Sequence, residues 1–248
     1  MFGFHSYNKN IRNIVVLFGT VFNDITVKRL KADASVERQF KIPIAYGPAE
    51  KFLTRINQQD TITLPRMSFE ITDYTYDAAR KLQTTKKHKK VKSGSATNLN
   101  TVYNPVPYDF NITLSIMVKY SDDGTQILEQ ILPYFTPEFQ VTMNEMSTMG
   151  IKRDIPIILT GVTTEDTYEG DFITRRALIH TLTFTVKGHI YGRTTDQGII
   201  REIDVNLGAN MNDRKDVNID IKPDPLTADA DDDFGFTTTI TNLWNKIQ

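Results

Sequence analysis

From Phe110 the apolar residues fall on every second position, Phe110, Ile112, Leu114, Ile116, Val118 and Tyr120, with Asn111, Thr113, Ser115 and Lys119 between them. That period of two is the pattern of a half-buried strand. Asp122 and Asp123 follow where a helix would begin, placed to accept its free backbone N–H groups and to favour the positive end of its dipole. Ile127, Leu128, Ile131 and Leu132 then recur at helical spacing, and Pro133 ends the run. After Pro137 the chain reads extended again through Phe139, Val141 and Met143.

Elsewhere the same two periods alternate. Tyr7, Ile11, Ile14, Val15, Phe18, Val21 and Phe22 line one side of a helix over residues 6–22, which packs on its own sheet. Residues 25–30 and 37–46 read as strands joined by a short polar turn, and Gly47-Pro48 opens a second helix whose inner face is Phe52, Leu53 and Ile56. A strand over 66–76 carries Met67, Phe69 and Ile71 inward. Two long strands, 152–164 and 174–191, flank an acidic turn containing Glu165, Asp166, Glu169, Gly170 and Asp171. Hairpin-length connections and two or three helices give an α+β fold, a mixed, largely antiparallel sheet flanked by helices. Residues 1–200 form the core domain, with a mobile basic loop at about 80–100. Residues 201–248 are expected to be an extended tail: an acidic linker, with Asp229, Asp231, Asp232 and Asp233 close together, then an apolar docking segment of Phe236, Ile240, Leu243 and Trp244.

Composition narrows the function. A chain of 248 residues that is 40% hydrophobic can bury one substantial core. With 29 basic against 30 acidic residues, it lacks the overall charge of a non-specific nucleic-acid binder. The absence of cysteine removes disulfides, thiolate nucleophiles and cysteine-based zinc sites. No membrane span and no secretory leader is recognisable, so the expected compartment is the cytoplasm.

Catalytic chemistry is hard to find. There is no phosphate-binding glycine loop, no HExxH and no GxSxG. His180 and His189 share a strand at an odd separation and point to opposite faces, so they cannot grip one metal. Asp122 and Asp123 are explained by the helix start, and the acidic turn lacks the ligand spacing of a calcium loop. No catalytic, metal or cofactor residue is assigned, and the chain is read as a non-enzyme. The candidate residues are instead for protein interfaces. Lys86, Lys87, Lys89, Lys90 and Lys92 form a basic run without interleaved aromatics, suited to phosphate backbones or an acidic protein patch. Lys152, Arg153, Arg175 and Arg176 stand at strand starts, where one member of each adjacent pair faces inward and the other can reach a neighbour.

Several blocks in order carry a resemblance. They are Met1-Phe2-Gly3, Ile42-Pro43-Ile44 with Tyr46, Leu64-Pro65-Arg66, Tyr103-Asn104-Pro105, and Glu129-Gln130-Ile131-Leu132-Pro133-Tyr134-Phe135. Lys152-Arg153-Asp154-Ile155, Gly170-Asp171, Arg175-Arg176 and Leu182-Thr183-Phe184 continue the series. Over residues 1–201 the chain resembles the tail sheath stabiliser and completion proteins, or tail terminators, of T-even-type contractile-tailed bacteriophages. The segment around 77–100 departs from the pattern, and no resemblance is seen beyond Arg201.

The resemblance implies a structural virion protein at the tail/neck junction, assembled in the host cytoplasm. It implies a homohexameric ring that caps tube and sheath, stabilises the extended sheath and offers a surface to the head and neck. Its partners would be itself, the tail sheath protein, the tube or tube terminator protein and head-neck proteins, with genomic DNA passing through without specific binding, and no membrane. A sheath is an open, heterologous polymer that a closed ring can end. If sheath segments pair as added strands, strand 152–164 is a candidate to receive them. Two alternatives remain open: another ring protein of the neck or tube end, such as a connector or tube terminator, and a DNA-binding protein acting through the lysine loop.

Overall fold

The computed structural model describes residues 5–31, 35–57, 63–92, 98–166, 177–208, 217–228 and 232–242. Along the chain run α1 (Asn10–Val21), β1 (Thr26–Leu30), β2 (Val36–Lys41), β3 (Ile44–Tyr46), α2 (Ala49–Asn57) and β4 (Arg66–Tyr76). Then come β5 (Lys87–Val91), β6 (Asn98–Tyr103), β7 (Val106–Val118), α3 (Ser121–Ile131) and a 3₁₀ turn at Leu132–Tyr134. The remainder is β8 (Glu138–Met146), β9 (Ile151–Asp166), β10 (Leu178–Ile190), β11 (Thr195–Gly198), β12 (Ile203–Leu207), β13 (Val217–Asp224) and β14 (Gly235–Asn242). They group into two compact units, one of residues 1–83 with 105–191 and the other of 84–104 with 192–248.

The first unit is an α+β domain built on a six-stranded sheet of order β3-β4-β7-β10-β9-β8, antiparallel except at the β3/β4 edge. Its centre is β7, whose alternating Phe110, Ile112, Leu114, Ile116 and Val118 are all fully buried. Cross-strand partners continue that face: Met67 and Phe69 on β4, Leu182, Phe184 and Val186 on β10. Helix α1 lays Ile14 and Phe18 on it, with Phe18 ring centroids 5.1 Å from Phe69 and 5.3 Å from Phe184. Close approach is possible because β10 carries Gly188, where a Cβ would stand 2.7 Å from Phe110 and 2.8 Å from Ile14. Helix α3 adds Ile127 and Ile131 to the same core. The opposite face of β7 and β10 is covered by a smaller cluster in which Phe52 of α2 meets Met117 and Ile179.

Two local expectations change. Helix α1 begins at Asn10 after Lys9 in the left-handed region (φ 59°), so Tyr7 lies before the helix and is 59% exposed. Nor do the aspartates cap α3 with their side chains. Tyr120 is the N-cap residue, while Asp123, fully buried, takes an ion pair at 2.6 Å from Arg29 of β1. Asp122 accepts a hydrogen bond from Gln126 Nε2 at 2.8 Å. The carboxylate thus ties α3 to the β1–β2 hairpin, which Gln130 also grips by donating to the Thr26 carbonyl at 2.8 Å.

The second unit corrects two larger expectations. The basic segment is not a loop throughout: β5 pairs in antiparallel register with β6, and β6 pairs with β11, giving a sheet of order β11-β6-β5. Residues 203–242, expected as an acidic linker and extended tail, hold the antiparallel sheet β12-β13-β14. Alternation of apolar with Asp and Asn residues, rather than low hydrophobicity, governs this stretch.

Candidate protein-assembly surfaces

Because directly opposed residues in a sheet share a face, the register of β12-β13-β14 sorts its side chains cleanly. Ile203, Val205 and Leu207 oppose Ile221, Ile219 and Val217, and these in turn oppose Thr238, Ile240 and Asn242; Pro223 opposes Phe236. One face of the sheet is therefore almost wholly apolar. It is also open: Phe236 is 75% exposed, Ile240 63% and Leu207 51%. Beside it a cavity of about 240 Å³ is lined by Ile199, Ile203, Ile221, Pro223, Phe234 and Phe236, among others. An exposed, contiguous apolar patch of this kind marks an interaction surface.

The other face is acidic. Asp204, Asp220 and Asp224 lie there, and Lys222 is held between Asp220 at 2.8 Å and Glu202 at 3.1 Å. These carboxylates raise the Lys222 pKa, the Asp220 hydrogen bond most strongly. Among the described residues Asp204 meets only the neutral Asn218 amide, and Asp224 only the Thr237 hydroxyl at 3.4 Å.

Of the basic run, Lys86, Lys89 and Lys90 are exposed and carry no ion pair among the described residues. Lys92 is paired with Asp196, and the Lys87 ammonium sits 4.7 Å from the centroid of the Tyr103 ring. An aromatic neighbour absent from the linear run is thus supplied across the sheet.

Lys152 and Arg153 part company as adjacent strand residues must. Lys152 is exposed, and Arg153 turns to Glu145, Nε to Oε2 3.4 Å. Glu145 is fully buried and also accepts from the Tyr191 hydroxyl at 2.8 Å, with His189 Nδ1 3.1 Å away. Burial first, and the Glu145 hydrogen bond second, push the Tyr191 phenol far above its ordinary value. The sequence reading missed this cluster, although an acidic residue in an otherwise alternating strand was a visible signal. His180 stands apart from it, bonded to Thr164 at 2.9 Å, so the two histidines do not converge. Among the described residues no group of three or more His, Cys, Asp or Glu converges on a metal position. Nor is any helix among them long and apolar enough to cross a membrane. Arg175, Arg176, Leu243 and Trp244 lie outside the described residues.

Strand 152–164 is only half an edge. Residues 151–158 of β9 are closed by β8, whereas among the described residues the stretch from Leu159 onward pairs with β10. The Leu159 N–H is itself used, bonding the Pro137 carbonyl at 3.4 Å, which leaves residues 160–165 as the stretch with no second strand beside it among the described residues.

Comparison with known proteins supplies the family. The family described as the T4-like virus Myoviridae tail sheath stabiliser matches residues 5–246. That match runs well past Arg201, so the β12-β13-β14 sheet lies within the family's extent and not in an unrelated appendage. The tail completion protein gp15 of Enterobacteria phage T4 is 35% identical over 230 residues, covering 87% of this chain and 83% of that protein. A match spanning both units, with the ordered blocks of the first, places the chain in the T4-like tail sheath stabiliser family as a structural protein of the phage tail.

Proposed function

We propose that this chain is a tail terminator: a ring-forming protein at the tail/neck junction that ends the sheath and tube, holds the sheath extended and presents a docking surface to the head and neck. The observation that carries this reading is the family match over nearly the whole chain, together with the name of the relative as a tail completion protein. The open apolar face of β12-β13-β14 supports it, because a lone subunit gains nothing from exposing Phe236 and Ile240, whereas an assembled one buries them.

The physical role follows from polymer geometry. The last ring of a heterologous polymer exposes the binding surface that the next ring would use. A closed ring that matches this surface on one side and differs on the other stops growth. If it binds the extended sheath more tightly than the contracted one, it also biases the sheath toward extension by that difference in affinity. The partners are further copies of the chain, in a sixfold ring, the sheath protein, the tube or its terminator, and neck proteins; genomic DNA passes through without specific readout. Assembly takes place in the host cytoplasm. Purified protein added to tails assembled without it is expected to sediment with them and to preserve full-length extended sheaths. Sedimentation with bare tubes but not with sheathed tails would favour a tube terminator. Failure to bind either would overturn the reading.

A further inference from the structure

We infer that the second unit forms the contact between neighbouring copies, head to tail, with the lysine-bearing strand β5 of one copy against the acidic face of β12-β13-β14 in the next. This deepens the ring reading above and rests on it. Strand β5 is the outermost strand of its sheet, so among the described residues one side of its backbone has no neighbouring strand. Lys86, Lys89 and Lys90 are exposed on or beside it and have no carboxylate partner among the described residues. Among the described residues the acidic face sets Glu202, Asp204, Asp220 and Asp224 against one lysine, Lys222, which two of them already hold. Asp204 and Asp224 have neutral hydrogen-bond partners only, so their charge meets no cation among the described residues.

Charge complementarity narrows the arrangement. A contact that sets β5 on β5 opposes lysines, and one that sets acidic face on acidic face opposes carboxylates; both carry like-charge repulsion. Pairing β5 with the acidic face removes it, and the head-to-tail form of that pairing is the one that closes into the ring proposed above. Nucleic acid is the less suitable occupant of the lysines, because the same unit carries carboxylates that repel phosphate.

The test is the solution mass of the full chain, by light scattering, at about 0.05 M and 0.5 M salt. Three proteins are compared: the wild type, K86E/K89E/K90E and D204K/D224K, each first checked for an unchanged circular-dichroism melt. The wild type is expected to form a ring that weakens with salt. Each charge-reversed variant should associate about 100-fold more weakly. Mixing the two variants should restore the ring, because each then meets a complementary neighbour. A monomeric wild type overturns the ring reading and this inference together. Rings of unchanged stability in both variants overturn this inference and leave the ring reading standing. Intact rings in K86E/K89E/K90E, with loss of salt-sensitive binding to a short DNA duplex, would assign the lysines to phosphate instead.

Discussion

His180 shows how one side chain sets a pH limit on this fold. It lies on β10 with Nδ1 bonded to Thr164, and its Nε2, buried without a hydrogen-bond partner among the described residues, faces Gly124 of α3 so closely that a Cβ there would stand 2.4 Å away. Burial lowers its pKa below the ordinary value. The unfolded chain therefore takes up a proton at a pH where the folded chain does not. The resulting stability is complete above about pH 6.5 and is lost progressively as pH falls below it. Thermal melts should be flat near neutrality and drop in mild acid, and His180→Asn should flatten the drop; an unchanged slope would exclude His180 as its source. Glu145 gives a second residue-scale expectation. Its removal strands Arg153, His189 and Tyr191, so Glu145→Ala should cost about 3 kcal/mol in urea unfolding at neutral pH, the lower end for a broken buried pair because Arg153 is 30% exposed. Less than about 0.5 kcal/mol would mean the cluster contributes little. Asp123 was legible as a helix-start residue, yet its partner Arg29 is 94 residues away in sequence and no local pattern pointed to it.

At the scale of elements, legibility followed period and separation. The strand through Phe110 to Val118 and the helix beginning near Ser121 were readable because each repeats its own period for several residues. β10 was readable for the same reason. The strand over 37–46 was not read correctly, since Ile42-Pro43 divides it into β2 and β3, which join different sheets. In the second unit the period of two is present in Ile203, Val205 and Leu207, and again in Val217, Ile219 and Ile221. The polar partners there are Asp and Asn, whose abundance suggested solvated chain. The β6–β11 pairing joins residues about a hundred positions apart, Thr101 to Thr195, and leaves no local trace. The open face makes its own prediction. Phe236→Asp with Ile240→Asp should leave the melting temperature within about 2 °C, since both side chains are exposed, yet abolish sedimentation with tails. Retained binding would remove this face from the docking surface.

For the molecule as a whole, the family was legible because many separate short blocks carry the resemblance in one order along the chain, and the family match over residues 5–246 bears it out. The surfaces were only partly so. The lysine run, Phe236 and Ile240 stood out in the sequence, but the acidic face and the continuity of the apolar one exist only through strand register. Burial at an interface depends on a partner, which one chain's residues do not encode. The proposed terminator role is one of ending: this protein would halt sheath growth and hold the sheath extended. The most direct measurement is electron microscopy of tails from an infection depleted of this gene product, scoring sheath length, contraction and head attachment against an intact infection. A terminator role predicts missing, overlong or prematurely contracted sheaths on tails without heads. Extended tails of normal length joined to heads would contradict it.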